Sequence, residues 1–136
     1  MIKRLAQSFK KDESGTTAVE FGLVGMAFIV LLLGVIEAGR LFFTWNAFQY
    51  ALENATRHAL VNENNTESHI ENFIAANMTS IQANPGNIQV NVAFVTLSDI
   101  NFIEVDGTYI FRTAIPVLPE SWREIRLAAQ SRMPIP

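Results

Sequence analysis

The first apolar segment of the chain is long enough to cross a membrane. Residues 21–36 are apolar throughout, and apolar or weakly polar neighbours extend the segment to about 17–39. A membrane-spanning helix needs about 20 residues, whereas the apolar core of a secretory signal usually has about 7–15. No small-residue cleavage site follows the segment. We therefore predict a single transmembrane helix that persists in the mature protein.

The same helix is predicted to continue beyond the membrane with a different pattern. Past residue 40 the apolar positions recur at steps of three and four, which is typical of a helix with one buried face. These positions are Leu41, Trp45, Phe48, Leu52 and Ala55. No proline interrupts residues 16–84. The pattern predicts one helix over about 16–61, with a lipid-embedded first half and an amphipathic second half.

Residues 62–136 are predicted to form a small outer domain. A polar loop leads into an amphipathic helix over Glu67–Ser80, and "ANPGN" at residues 83–87 ends it. The hydrophobic period then changes to two, which predicts a strand at 88–94. Asp106-Gly107 is a strong hairpin signal, so we expect a second and a third strand on either side of this pair. Residues 123–133 predict a last strand.

These elements give an α+β fold. An antiparallel sheet of three or four strands is expected to pack on the outer half of the long helix and on the second helix. Only about 100 residues lie outside the predicted membrane segment. A core of that size is small, so the long helix must supply part of it.

The charges divide the chain into a basic N-terminus and an acidic remainder. All three lysines and Arg4 precede Gly15, whereas six arginines and eleven acids follow it. The positive-inside rule therefore predicts a cytoplasmic N-terminus and an outer domain on the far side of the membrane. The net charge of −3 argues against a nucleic-acid partner, and the absence of cysteine excludes disulfides and cysteine-ligated metal.

A motif at the start of the apolar run gives the clearest functional signal. It consists of the basic leader, Gly15, Thr16 and then Glu20, directly before the run. This pattern resembles the type IV prepilin signature, and "GTTAVEFGLV" most resembles the TadE-like pseudopilins of tight-adherence (Tad) pilus systems. "LLLGVIEAGRLFF" and "ATRHAL" extend the resemblance to about residue 60.

The resemblance implies a pilin-like fold and a role in a fibre. It implies that a prepilin peptidase cuts between Gly15 and Thr16, so that residues 1–15 are a cytoplasmic leader. The other implied partners are further pilins and pseudopilins and the pilus assembly platform of the bacterial inner membrane. The chain would then be a minor pilin or pseudopilin, homo- or hetero-oligomeric in an adhesive Tad-type pilus.

Cleavage gives a physical reason for Glu20. A charged side chain within a bilayer costs about 2.5–3.5 kcal/mol even on insertion scales. Removal of the leader leaves an ammonium on Thr16, about 6 Å along the helix from Glu20. In a fibre, a neighbouring subunit would supply the ammonium that pairs with this carboxylate and so sets the register. The alternative is an interfacial glutamate that only marks where the helix leaves the lipid.

Glu37 and Arg40 lie where the helix is expected to leave the lipid on the other side. Their spacing of three residues allows an ion pair along one helix face. We interpret them as an interfacial ion pair, because arginine is expected where a helix leaves a membrane. The alternative is a contact with another subunit or with the assembly platform.

No catalytic, metal or cofactor site is predicted. His58 and His69 lack metal-ligand spacing, and the chain has neither a glycine-rich phosphate loop nor a Gly-x-Ser-x-Gly motif. An enzyme is therefore disfavoured. The main alternative to a pilin is a permanently anchored single-pass protein whose outer domain binds a partner, without cleavage and without a fibre.

Overall fold

The computed structural model describes residues 14–62, 66–78, 83–115 and 118–135. The predicted leader lies outside these residues, except for Ser14 and Gly15 at its end. The chain divides into an N-terminal unit, Met1–Ile36, and a C-terminal unit, Glu37–Pro136.

The described part of the N-terminal unit is helical. It belongs to helix α1, Ser14–Val61, which begins two residues before the predicted start and ends at the predicted residue. The large apolar side chains of this unit are exposed, from 43% for Leu32 to 79% for Phe21. Its most apolar 18-residue window has a mean hydropathy of 2.5, and none of that window is buried. By length and composition, α1 can cross a membrane.

The C-terminal unit contains the predicted α+β fold. The last part of α1 is followed by helix α2, a 3-10 turn, two strands, a short helix α3 and a last strand. Their bounds are α2 Glu67–Asn77, the turn Pro85–Asn87, β1 Ile88–Leu97, β2 Ile100–Arg112, α3 Glu120–Arg123 and β3 Glu124–Pro134. The three strands form one antiparallel sheet in the order β1-β2-β3. The predicted fold class is thereby confirmed.

Helix α2 is shorter than the sequence predicts. It ends at Asn77 rather than Ser80. Met78 leaves the helical conformation, with φ −95° and ψ 32°, and its amide donates to the carbonyl oxygens of Ile74 and Ala75. The Met78 side chain is completely buried. Burial of this side chain in the core fixes the turn that ends the helix.

The predicted hairpin at Asp106-Gly107 is wrong. Both residues lie in the middle of β2, where Gly107 pairs with Val90 on β1 and with Ala129 on β3. The chain reverses at Ser98-Asp99 instead, where φ is 50° and 63°. Two residues in the left-handed region are what a two-residue hairpin of type I′ requires.

Close packing explains the glycine at position 107. A Cβ atom there would lie 2.8 Å from Cδ1 of Leu52 and 2.8 Å from Cζ of Phe48. Both of these side chains belong to α1 and are buried. Glycine at this position lets β2 approach α1 closely, and no turn is involved.

The core lies between the sheet and the two longer helices. It contains one face of α1, one face of α2 and the alternate residues of the strands that face them. Its buried apolar members include Phe48, Leu52, Ala55, Ile70, Ile74, Ile88, Val90, Ile103, Val105, Tyr109, Phe111 and Leu127. The amphipathic pattern predicted for the second half of α1 is therefore confirmed, because Phe48, Leu52 and Ala55 are all at most 1% exposed. Burial raises the pKa of Tyr109, and a hydrogen bond with the Asn87 side chain opposes this shift.

A better turn sequence should stabilise the hairpin. Serine in the left-handed region is unfavourable by roughly 1–2 kcal/mol, whereas Asn-Gly is the preferred pair in type I′ turns. We expect Ser98→Asn with Asp99→Gly to raise the free energy of unfolding by about 1 kcal/mol. Urea unfolding of the full chain in detergent micelles, followed by circular dichroism, measures this change.

The matched control places the same dipeptide where the sequence alone predicts a turn. Asp106→Asn creates Asn-Gly at 106–107, in the middle of β2. No stabilisation is expected there, because neither residue has a positive φ. An equal gain from both variants would contradict the assigned turn.

Candidate functional site

The predicted processing residues lie at the start of α1. Gly15 and Thr16 are both helical and belong to its first turn. The space around Gly15 is open, since a Cβ atom at this position would meet no described atom within 4 Å. A protease cleft binds an extended backbone, and a glycine helps because it adopts many backbone conformations. Cleavage after Gly15 therefore requires this first turn to unwind.

Glu20 follows one turn later and is exposed. Within residues 14–62, 66–78, 83–115 and 118–135 its carboxylate forms no hydrogen bond and no ion pair. The large apolar side chains that surround it in sequence, Val19 and Phe21, are 64% and 79% exposed. The structure thus presents a lone carboxylate at the start of an uncovered apolar helix.

The pair of Glu37 and Arg40 has a third partner. Arg40 Nη1 donates to Glu37 Oε2 at 2.7 Å, and the amide of Ala114 donates to Glu37 Oε1 at 2.8 Å. The Arg40 guanidinium also lies 5.4 Å from the ring centroid of Phe111. The Glu37 side chain is only 12% exposed. These contacts attach the end of β2 and Ala114, two residues beyond it, to the first turn of the C-terminal unit.

The sequence predicts the ion pair but not its contact with Ala114. The spacing of Glu37 and Arg40 is a local signal for an i, i+3 contact on a helix. Ala114 is 77 residues from Glu37, and it contributes a backbone amide, which any residue except proline can provide. No residue type in this part of the sequence could have indicated the contact.

A polar cavity lies beside this contact, and the sequence does not predict it either. It has a volume of about 410 Å³ and is lined by Arg112, Thr113, Glu120, Arg123 and Glu124. Arg112 Nη2 and Glu124 Oε1 are 2.9 Å apart, and both side chains are largely exposed. The buried hydroxyl oxygen of Thr113 has no hydrogen-bond partner in the described part of the chain. The residues come from the end of β2 and from α3 and the start of β3.

The two histidines take part in packing between α1 and α2. The His58 ring stacks on Phe73 with centroids 4.3 Å apart, and the His69 ring lies 5.5 Å from His58. The side-chain nitrogen of Asn62 is 2.9 Å from His58 Nε2. Among the described residues, no group of three or more His, Cys, Asp or Glu side chains could hold a metal ion.

Comparison with known proteins gives one match. The family model described as TadE-like protein matches residues 15–57. The match begins at Gly15 and includes Glu20, the apolar run and the Glu37–Arg40 pair. It confirms the resemblance for this part of the chain. No curated protein and no solved structure matches the chain.

Proposed function

We propose that this chain, TadE-like over residues 15–57, is a minor pilin or pseudopilin that takes part in assembly of a Tad-type adhesive pilus. A prepilin peptidase removes residues 1–15, and the mature chain begins at Thr16. The protein is inserted in the bacterial inner membrane with its N-terminus in the cytoplasm and its C-terminal unit outside. The observation that carries the proposal is the family match, which begins at the predicted scissile glycine.

The exposure of α1 supports a helix that changes its surroundings. Large apolar side chains such as Phe21, Met26 and Phe28 are 59–79% exposed. Uncovered apolar surface of this extent requires lipid or other apolar helices. Lipid covers these side chains in the membrane-inserted subunit, and the helices of neighbouring pilins replace it in the fibre. The proposed role is structural, with no catalysis.

The unpaired state of Glu20 supports assembly with other subunits. A carboxylate at the end of an apolar helix is stabilised by an ammonium, and the described chain provides none beside it. The ammonium of Thr16 exists only after cleavage. In the fibre, Glu20 of one subunit pairs with Thr16 of its neighbour, so processing and assembly are linked.

Co-expression with an active prepilin peptidase tests the proposal. We expect the chain to lose fifteen residues, with Thr16 as the new N-terminal residue in intact mass and N-terminal sequencing. Gly15→Val should block the cut, because the β-branched side chain restricts the backbone next to the scissile bond. Gly22→Val is the matched control: it changes another glycine of α1 with open space around it and should leave cleavage unchanged.

A full-length product in the presence of a peptidase that cuts another prepilin would overturn the proposal. That result would favour the alternative, a permanently anchored protein with a partner-binding outer domain. The structure is compatible with this alternative, because the C-terminal unit has a hydrophobic core of its own. The N-terminal residue of the chain recovered from membranes decides between the two functions.

A further inference from the structure

One end of the C-terminal unit carries most of its arginines. We define the Glu37 end as residues 37–40, 112–115 and 118–126. These residues are held together by three contacts: Ala114 with Glu37, Arg40 with the Phe111 ring beneath it, and the Thr113 amide with the carbonyl oxygen of Arg123 at 2.9 Å. The Glu37 end is therefore one continuous surface.

Charge is distributed unevenly between this end and the rest of the unit. The Glu37 end carries four arginines, Arg40, Arg112, Arg123 and Arg126, and three glutamates. The other described residues of the unit carry two arginines and six acids. Glu37 is occupied by Arg40 and Ala114, and Glu124 by Arg112. An acidic unit thus presents a surface that is positive on balance at one end only.

A large aromatic side chain is exposed at the same end. Trp122 lies in α3, between two residues that line the polar cavity, and is 70% exposed. The other tryptophan of the chain, Trp45, is partly covered by the core. An exposed tryptophan next to arginines is typical of the boundary between lipid and water, where the indole ring lies at the level of the headgroups.

The chain itself connects this end to the apolar run. Ile36 is the last residue of the run, and Glu37 is the next residue along the chain. If residues 21–36 are in lipid, Glu37 is at the lipid–water boundary, because a peptide unit spans only about 3.8 Å. Ala114 is in hydrogen-bond contact with Glu37. The Glu37 end is then within reach of the headgroups on the outer side.

The polar cavity offers groups that suit a phosphate. Arg112 and Arg123 line it, and arginine binds phosphate oxygens through several N–H donors at once. Thr113 also lines the cavity, and its hydroxyl oxygen is buried without a described partner. A buried hydroxyl without a hydrogen bond is unfavourable, and a phosphate oxygen would accept from it. Glu120 and Glu124 also line the cavity, and their carboxylates oppose the binding of a free anion of high charge.

We propose that the Glu37 end is a membrane-contact surface that binds anionic phospholipid headgroups. Trp122 inserts at the headgroup level and the arginines contact the phosphates. The contact orients the C-terminal unit on the membrane before the subunit enters a fibre. The inference depends on the membrane insertion of α1 in the proposed function, but it does not depend on cleavage.

Tryptophan quenching in vesicles of the full chain tests this surface. Trp45→Phe leaves Trp122 as the only tryptophan, and the protein is reconstituted in phosphatidylcholine vesicles with and without phosphatidylglycerol. Brominated lipids quench an indole ring that contacts the membrane. We expect strong quenching of Trp122 in the vesicles that contain phosphatidylglycerol, and weaker quenching without it.

Two variants give the reference values for quenching, and two others test the charges. Trp122→Phe leaves Trp45, which lies two turns further from Glu37 along α1 and should be quenched weakly. Phe28→Trp, made together with Trp45→Phe and Trp122→Phe, places the only tryptophan in the apolar run and should be quenched strongly.

Arg126→Gln should lower the equilibrium constant for binding of the Glu37 end to the vesicle surface about fivefold, which is the effect of one arginine near an anionic surface. Arg57→Gln, at an exposed position of α1 outside the Glu37 end, should leave it unchanged.

Each result has a separate meaning for the two proposals. If Trp122 is quenched no more than Trp45 while the Phe28→Trp reporter is quenched, the proposed membrane contact is wrong. The Glu37 end would then be available to contact another protein subunit. The N-terminal residue is determined on protein co-expressed with the peptidase. A full-length chain with quenched Trp122 rejects the pilin proposal and supports the membrane contact, whereas a cleaved chain with unquenched Trp122 does the reverse.

Discussion

Gly107→Ala should lower the free energy of unfolding of the C-terminal unit by about 1–3 kcal/mol, the usual cost of overpacking a well-packed core. Gly107→Val should cost more. The added Cβ would lie 2.8 Å from Phe48 and 2.8 Å from Leu52. Both neighbours are at most 1% exposed, so neither can move into solvent. The sheet must therefore move away from α1 or the side chains must leave their rotamers.

Urea unfolding of the full chain in detergent micelles measures this loss. Gly86→Ala is the matched control: among the described atoms its Cβ would meet only Asn84 Oδ1, at 3.4 Å, and its φ is not positive. It should change stability by less than 1 kcal/mol, as surface substitutions usually do. Equal small effects at both glycines would contradict the close approach of β2 to α1.

A double substitution identifies the clash directly. Leu52→Ala alone creates a cavity and should destabilise the unit by about 2–5 kcal/mol. Combined with Gly107→Val, the larger side chain at 107 fills part of that cavity. The combined loss should then be clearly smaller than the sum of the two single losses, since contacting residues couple by about 0.5–3 kcal/mol. Additive losses would show that the two positions do not share the same space.

Glu20→Leu should abolish piliation while leaving cleavage after Gly15 intact. Under the proposed function, the substitution removes the carboxylate that pairs with the Thr16 ammonium of a neighbouring subunit. Breaking a buried ion pair by removing one partner typically costs about 3–5 kcal/mol, because a charge remains unpaired. A loss of that size at each subunit contact lowers the assembly constant at least a hundredfold. Assembly is measured by shearing pili from the cell surface and detecting them by immunoblot. Cleavage is measured by the N-terminal residue of the chain in the membrane fraction.

The control for this experiment is a second exposed glutamate of α1. Glu53→Leu removes the same charge in the C-terminal unit, where no pairing with Thr16 is proposed. Pili should form normally. Normal piliation in the Glu20→Leu strain would remove the pairing argument and favour a glutamate that only marks the end of the lipid-embedded helix.

The candidate residues differ in how far the sequence could reveal them. Gly15, Thr16 and Glu20 form a local motif, and their spacing suffices to recognise it. The Glu37–Arg40 pair follows from helix geometry, because residues three apart share a face. The third partner of Glu37 was not predictable, since a backbone amide 77 residues away carries no residue-type signal. The arginines of the Glu37 end were not predictable as a group either, because positions 40, 112, 123 and 126 meet only after folding.

The sequence by itself determined helix α1 and the buried face of its second half. A run free of proline and a repeat of three and four residues depend only on neighbours along the chain, so they can be read without a fold. Tertiary structure decided the role of Asp106-Gly107. This dipeptide suits both a tight turn and a close approach, and the choice depended on Phe48 and Leu52, more than fifty residues away. Because packing distances are set by segments that are remote in sequence, only the folded chain could show that the turn lies at Ser98-Asp99 and that Gly107 lies against α1.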